Sequence, residues 1–331
     1  MTRRLDIMRH LNMMRRLIAW ATLLLLGTAA VARAQSPTAG AADTTELQFS
    51  YVEGAGGVPL SVAQAGPADA PGILFIHGLG QSHLAFAAQL HGDLARHHHL
   101  VAFDLRGHGN SGKPWSDAAY LDGSLWAEDV QRVMQATALT RPLIVAWSYG
   151  TLVIADYIRA HGTEGIAGVV MIGATGGLVP YPKIAPDPAV LAKLTELHRL
   201  GENPGLENTL LASRGTVSLL TYRAMPPEWT TLAEAVNDLV PPFARGALGK
   251  HLYTNNTDLV GRIHVPVLLM AGAEDKGDPA SLLQTLSDAL PEHATIKVYP
   301  GTGHTVFAEQ PVEFNADLET FSKSVTIGRE P

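Results

Sequence analysis

The 331-residue sequence contains no cysteine. That absence excludes disulfides, thiolate metal sites and a cysteine nucleophile together. It also removes the usual mark of an oxidising compartment, so location has to be read from the N-terminus. Aromatic residues make up 6% and charged residues 17% of the chain, against 46% hydrophobic residues. Such a balance describes a packed globular protein and not a disordered one. Basic residues are in deficit: 24 Lys and Arg face 31 Asp and Glu, giving a net charge of -7 with 14 histidines neutral. No nucleic-acid partner is expected, since that needs a basic face.

The apolar run near the N-terminus is too short to span a bilayer. Leu17 to Val31 is about 15 residues, against the roughly 20 that a spanning helix needs. Arg3, Arg4, Arg15 and Arg16 precede it, and Ala32-Arg33-Ala34 follows before Gln35. A positive region, a short apolar region and an A-x-A site predict a signal peptide over 1–34, cleaved after Ala34. The mature protein is then periplasmic or secreted, with no stable membrane anchor left. Met13 and Met14 offer a second translation start just before the later arginine pair. The Ala/Thr/Gly-rich stretch 35–45 reads as a flexible leader, and 46–331 as the folded domain.

Two β-like runs, Glu46–Glu53 and Val58–Gln64, flank Gly54-Ala55-Gly56-Gly57 and predict an antiparallel hairpin at a sheet edge. Strands then alternate with helices. Ile73–Ile76, Leu100–Phe103, Leu143–Trp147 and Val169–Ile172 are short apolar strands; Ser82–Arg96, Ser124–Leu139 and Thr151–His161 have helical spacing. The pattern breaks from about Leu178 to Leu259, where Pro and Gly punctuate short helical pieces. Asp187 as N-cap, Pro188 at the first turn and Gly201 as the stop frame one of them, and Glu228–Leu239 is another. Alternation resumes with Val267–Ala271, Ala280–Leu290, Ile296–Tyr299 and Pro311–Lys323. The chain therefore predicts an α/β fold: a mostly parallel eight-stranded sheet, helices on both faces, and an inserted helical cap at about 178–259.

Chemistry is expected at the carboxyl ends of these strands. Val145-Ala146-Trp147-Ser148-Tyr149-Gly150 lies where a strand meets a helix, as a nucleophile elbow requires. Ala146 stands where G-x-S-x-G has its first glycine, a difference of one methyl. Taken alone, the pattern fits a helix-capping serine equally well. His77-Gly78-Leu79-Gly80 follows an earlier strand, and its glycines allow a turn that presents an N–H to a developing oxyanion; the N–H of Tyr149 is the second donor. Three acids, Glu274, Asp275 and Asp278, compete to orient a base, with Asp275 best placed and Asp278 suited to capping the helix at Pro279. His304 in Gly301-Thr302-Gly303-His304 is the candidate base. His97-His98-His99 reads as a solvated run and not as a metal site. His108, in Arg106-Gly107-His108-Gly109-Asn110-Ser111-Gly112, is expected to line the site without catalysing.

His77-Gly78-Leu79-Gly80, Asp104-Leu105-Arg106-Gly107-His108-Gly109-Asn110-Ser111, Trp147-Ser148-Tyr149-Gly150, Gly272-Ala273-Glu274-Asp275 and Gly303-His304 together resemble the α/β-hydrolase superfamily. The style is that of its capped esterase, non-haem chloroperoxidase and C–C hydrolase branch. The resemblance runs from about Leu60 to the C-terminus and leaves the cap divergent. It implies a catalytic triad of Ser148, Asp275 and His304, an oxyanion hole from the backbone of Leu79 and Tyr149, and Trp147 and His77 against substrate. It implies no metal and no cofactor. The expected reaction is hydrolysis of a small to medium carboxylic ester through an acyl-enzyme. Lactonase, C–C hydrolase, aminopeptidase and perhydrolase chemistry are alternatives on the same triad, and a non-catalytic binding protein is the rival of another class. Leu219, Leu220, Tyr222 and Met225 either face substrate or pack on the sheet.

Overall fold

A computed structural model describes residues 46–180, 188–277 and 279–327. The expected signal peptide and leader, Asp187 and Asp278 lie outside the described residues. Eight strands form one sheet: β1 (Gln48–Glu53), β2 (Pro59–Ala65), β3 (Gly72–Ile76), β4 (His99–Phe103), β5 (Leu143–Trp147), β6 (Gly168–Ile172), β7 (Val267–Gly272) and β8 (Ala294–Tyr299). Their spatial order is β1-β2-β4-β3-β5-β6-β7-β8. β1 and β2 pair antiparallel, as do β2 and β4; every pairing from β4 onward is parallel. The edge hairpin turns at Ala55–Gly57, where Gly56 takes a φ of 67°.

β4, β5 and β6 are buried along their whole length. This explains their unbroken apolar sequences, since parallel strands are covered by helices on both faces. Side chains alternate between two cores. Val101, Phe103, Ile144, Ala146, Met171 and Leu269 face one, and Leu100, Ala102, Val145, Trp147, Ile172 and Met270 face the other. The first core packs α1 (Gly123–Ala136) and α2 (Gly150–His161), through residues such as Trp126, Val130, Ile154 and Ile158. The second is closed by Phe86, Phe307, Phe314 and Leu318, the last two on the C-terminal helix Pro311–Ile327. Each such side chain contributes roughly 1.5–3 kcal/mol by leaving water.

The single helix expected over Ser82–Arg96 is corrected to three short turns, His83–Phe86, Ala87–Leu90 and Asp93–Arg96. Gly92 breaks the run with extended backbone (φ -91°, ψ -175°), and the His83 N–H and ring both bind Asp104 instead of a helical neighbour. Between β6 and β7 the described residues form no strand. They form α3 (Pro188–Glu202), α4 (Leu206–Leu220), α5 (Pro227–Asp238) and α6 (Pro242–His251). Helices Pro279–Ala289 and Pro311–Ile327, here α7 and α8, follow β7 and β8, with a short helical turn at Val306–Glu309 before α8. No helix among the described residues is long and apolar enough to cross a membrane.

Candidate active site

The sheet places three loops side by side. β3 and β5 are neighbours with Ile76 opposite Ala146, so Gly78-Leu79 emerges beside Ser148. A Cβ at Gly78 would lie 3.1 Å from that of Ser148. This is where the strand order reverses direction, with β4 on the far side of β3, and open α/β sheets offer a crevice there. β7 and β8 end together, Gly272 opposite Tyr299, so the Asp275 and His304 loops rise as a pair.

Ser148 takes a φ of 52°, in the left-handed region. A non-glycine residue held there stores on the order of 1–3 kcal/mol, and the surroundings enforce it. The Ser148 N–H donates to Ile172 O at 2.8 Å, while Ser148 O accepts from the Thr151 N–H at 3.0 Å and hydroxyl at 2.6 Å. Gly150 permits the tight turn, since a Cβ there would stand 2.4 Å from Ile76 O. Ala146 is wholly buried in the sheet, where its methyl is accommodated without a glycine. Neither the Leu79 nor the Tyr149 N–H donates to another group among the described residues, which leaves both available to an oxyanion.

Asp275 Oδ2 lies 2.5 Å from His304 Nδ1. Of the two described acids, Glu274 is exposed to solvent, while Asp275 also accepts from the Gly277 N–H at 3.0 Å; Asp278 lies outside the described residues. Burial alone would lower the His304 pKa, but the Asp275 charge and hydrogen bond together hold it above the ordinary imidazole value. Burial likewise opposes ionisation of Asp275, and His304 overrides it, holding the carboxyl below its usual range. With Nδ1 bound to the carboxylate, Nε2 is the atom left to accept a proton. Ser148 Oγ and His304 share no hydrogen bond in this resting arrangement, a contact that commonly tightens only with substrate. Gly173 links the two loops. Its φ is 67°, and a Cβ there would stand 2.8 Å from His304 Cε1, so only glycine lets the ring settle over β6.

Trp147 and His77 are corrected from substrate contacts to buried supports. Trp147 points below the site, its Nε1–H donating to His304 O at 3.0 Å and its ring packed on Phe307. His77 has no exposed surface and both ring nitrogens are engaged: Nδ1–H donates to Gly78 O at 2.8 Å, and Nε2 accepts from the Leu105 N–H at 2.9 Å. Burial lowers its pKa to about 4, against the pull of Asp104, so it stays neutral. His108 is likewise buried beneath the loop, 5.2 Å from the His77 ring, with its pKa lowered to about 3 by burial first and by His77 next. His97, His98 and His99 diverge: His97 is exposed, His98 meets Glu319 and His99 meets Gln64. Leu220 packs in the core, whereas Tyr222 is exposed.

Two supports are invisible to local motifs. Glu309 Oε1 accepts from the Gly303 N–H at 2.9 Å, while Oε2 accepts from the N–H groups of Tyr222 and Arg223 at 2.9 and 2.8 Å. One carboxylate thus ties the His304 loop to the α4–α5 connection. The second is a buried chain: the Tyr149 hydroxyl donates to His251 Nδ1 at 2.8 Å, and His251 Nε2–H donates to Asp156 Oδ2 at 2.9 Å. Trp126 stacks on the imidazole at 17°. The residue after the candidate nucleophile is therefore bonded to α6.

A strained serine at a strand-to-helix turn, two N–H groups unengaged among the described residues and a carboxylate-bound histidine in the order Ser, Asp, His match the layout of a serine hydrolase site. The chain belongs to the alpha/beta hydrolase family, whose model matches residues 73–317. It is 26% identical to a bifunctional esterase/perhydrolase DCH of Acinetobacter calcoaceticus, covering 83% of this chain and 100% of that protein. It is 27% identical to a non-heme haloperoxidase of Rhodococcus erythropolis, over 76% of this chain and 92% of that protein. Among solved structures, the esterase RhEst1 from Rhodococcus sp. ECU1013 is 28% identical, with a TM-score of 0.70 over 84% of this chain and 99% of that one.

Proposed function

We propose that the protein is an exported carboxylic ester hydrolase that works through an acyl-enzyme on Ser148. The observation that carries the reading is the 2.5 Å His304–Asp275 bond beside a serine forced to positive φ. In this mechanism Ser148 Oγ attacks the ester carbonyl and gives its proton to His304 Nε2. Asp275 holds the imidazole tautomer and stabilises the imidazolium. The Leu79 and Tyr149 N–H groups receive the oxyanion, and one such donor is worth about 10²–10³ in rate. His304 then protonates the departing alcohol. Water, deprotonated by the same histidine, releases the acid. Ester chemistry in the relatives supports this substrate class, and the predicted signal peptide supports export to the periplasm or beyond.

A second reading shares the acyl-enzyme. Hydrogen peroxide in place of water as acyl acceptor yields a peracid, an activity named for the Acinetobacter relative. The test begins with Ser148→Ala and a fluorophosphonate probe. Wild type is labelled at Ser148 and turns over short p-nitrophenyl esters, while the variant does neither and keeps its melting temperature. Unimpaired turnover by the variant removes Ser148 as nucleophile, and an unlabelled, inactive wild type favours a binding protein of this fold. Assaying peracid from acetate and peroxide separates the two enzymatic readings.

A further inference from the structure

Helices α3, α4 and α6 enclose a cavity of about 350 Å³ against the loop carrying Leu79. Its apolar wall includes Leu79 and Leu191, Leu194 and Leu197 of α3, and Arg245 and Asn237 add polar groups. A second cavity, about 490 Å³, lies at the amino ends of the central strands near Gly72 and Leu143, away from the candidate site. We propose that the cavity beside Leu79 receives the acyl chain of the substrate and that Arg245 pairs with a carboxylate on that chain, making half-esters of dicarboxylic acids the preferred substrates. The proposal rests on the ester hydrolase reading and names its substrate class.

Among the described residues, the hydrogen bonds of Arg245 go to neutral groups. Its Nε–H donates to Val240 O at 3.1 Å, and Nη2 donates to Asn237 O at 2.6 Å and Oδ1 at 3.0 Å. Those three bonds fix the guanidinium plane. Nη1 donates to no group among the described residues, and no described acid lies within ion-pair distance. Burial lowers the pKa to about 10 with only partial compensation from Asp238, so the group remains a cation near neutrality. A partly desolvated cation that Asp238 compensates only in part is unfavourable, and a carboxylate meeting a fixed guanidinium supplies the rest. His198, the other basic side chain on the wall, is already engaged by Glu202 at 3.1 Å.

The position selects the acyl side. The alcohol oxygen has to come within reach of His304 to be protonated, whereas this cavity is lined by neither Ser148 nor the His304 and Asp275 loops and meets the site through the oxyanion loop. Leu79 lines it, and its N–H is one of the two groups that would face the carbonyl oxygen. The loop and the cation are also mechanically joined. A Cβ at Gly80 would stand 2.2 Å from Asn237 Nδ2, and Asn237 Oδ1 accepts from both Arg245 and the Ser213 hydroxyl. The cavity wall combines leucine side chains with this one cation, which suits a methylene chain carrying a carboxylate.

The experiment compares kcat/KM for p-nitrophenyl esters of equal chain length: the half-ester of adipic acid, its neutral methyl diester, and hexanoate. Wild-type protein is expected to favour the half-ester by about tenfold or more, as a charge-assisted hydrogen bond implies. Arg245→Met brings the half-ester to hexanoate ratio toward one, and Arg245→Lys restores part of it. Thermal melting of both variants separates this effect from loss of the Val240 and Asn237 bonds. Equal rates for half-ester and hexanoate in wild type, with Ser148 labelled by fluorophosphonate, overturn the inference and leave the esterase reading standing. A methyl diester as good as the half-ester overturns the carboxylate assignment. No turnover of any ester and no labelling overturn the esterase reading itself.

Discussion

Replacing Asp275 by asparagine isolates what the His304–Asp275 bond contributes. The two side chains are 18% and 5% exposed, so solvent screens the pair weakly. An amide has nearly the same shape as a carboxylate but can turn its NH₂ toward His304 Nδ1. The ring then carries its proton on Nε2, where it cannot accept one from Ser148. The imidazolium formed during attack also loses its counter-charge. These effects together predict a fall in kcat of about 10³–10⁴, equivalent to roughly 4–5.5 kcal/mol of barrier. Glu274→Gln, altering an exposed neighbour, is expected to stay within about twofold. The assay is steady-state hydrolysis of p-nitrophenyl butyrate from pH 5 to 9. In wild type, activity falls on the acid side as His304 takes up a proton, with a midpoint above the ordinary imidazole value because Asp275 raises it. Any residual activity of Asp275→Asn has that midpoint moved to lower pH. Turnover within tenfold of wild type at pH 8, or a greater loss in Glu274→Gln, refutes the reasoning.

Two further outcomes concern the buried supports. Burial lowers the pKa of His77 to about 4 and that of His108 to about 3, from the ordinary imidazole 6.5, so below pH 6.5 the unfolded chain binds more protons and stability falls. Each contributes about 1.4 kcal/mol per pH unit until its folded pKa is reached; His304, raised instead of lowered, adds stability only on the approach to 6.5 from above and leaves the slope below it unchanged. A urea midpoint that stays level from pH 7 to pH 4.5 contradicts it. His251→Phe leaves the Asp156 carboxylate and the Tyr149 hydroxyl buried without their partner, and is expected to cost about 3–5 kcal/mol in urea unfolding. A loss below 1 kcal/mol shows the chain to be incidental.

What the sequence reveals and what it hides divide along sequence separation. β3 to β6 are readable because strands covered on both faces are uniformly apolar, and the carboxyl ends of β5 and β8 point to Ser148 and His304 without knowledge of contacts. Asp275 is separable from Glu274 only in three dimensions, because adjacent loop residues differ in direction and not in type. Trp147 and His77 belong to conspicuous motifs yet point beneath the site. A motif records position in the chain, while side-chain direction is set by packing on Phe307 and by the Leu105 N–H. The Ser82–Arg96 periodicity fails for a related reason. Its apolar residues do face the core, but Asp104 captures His83 and Gly92 ends the turn, neither of which periodicity registers. Glu309 and His251 look like ordinary helix residues until their distant partners are known.

The helical insertion is fastened to the sheet domain by buried polar contacts as well as by apolar packing. His251 reaches Asp156 and Tyr149, Glu309 reaches the α4–α5 connection, and Asn237 abuts the Gly80 turn. These act as a lock with keyed parts on both sides of the joint. A foreign insertion grafted between β6 and β7 would arrive without its half of each key, stranding a carboxylate at Asp156 and another at Glu309. Exchange of substrate pockets between relatives is therefore constrained less by loop length than by whether these keyed residues travel together. A graft that carries His251 and the Asn237–Arg245 pair along with its leucines is the one this scaffold can accept.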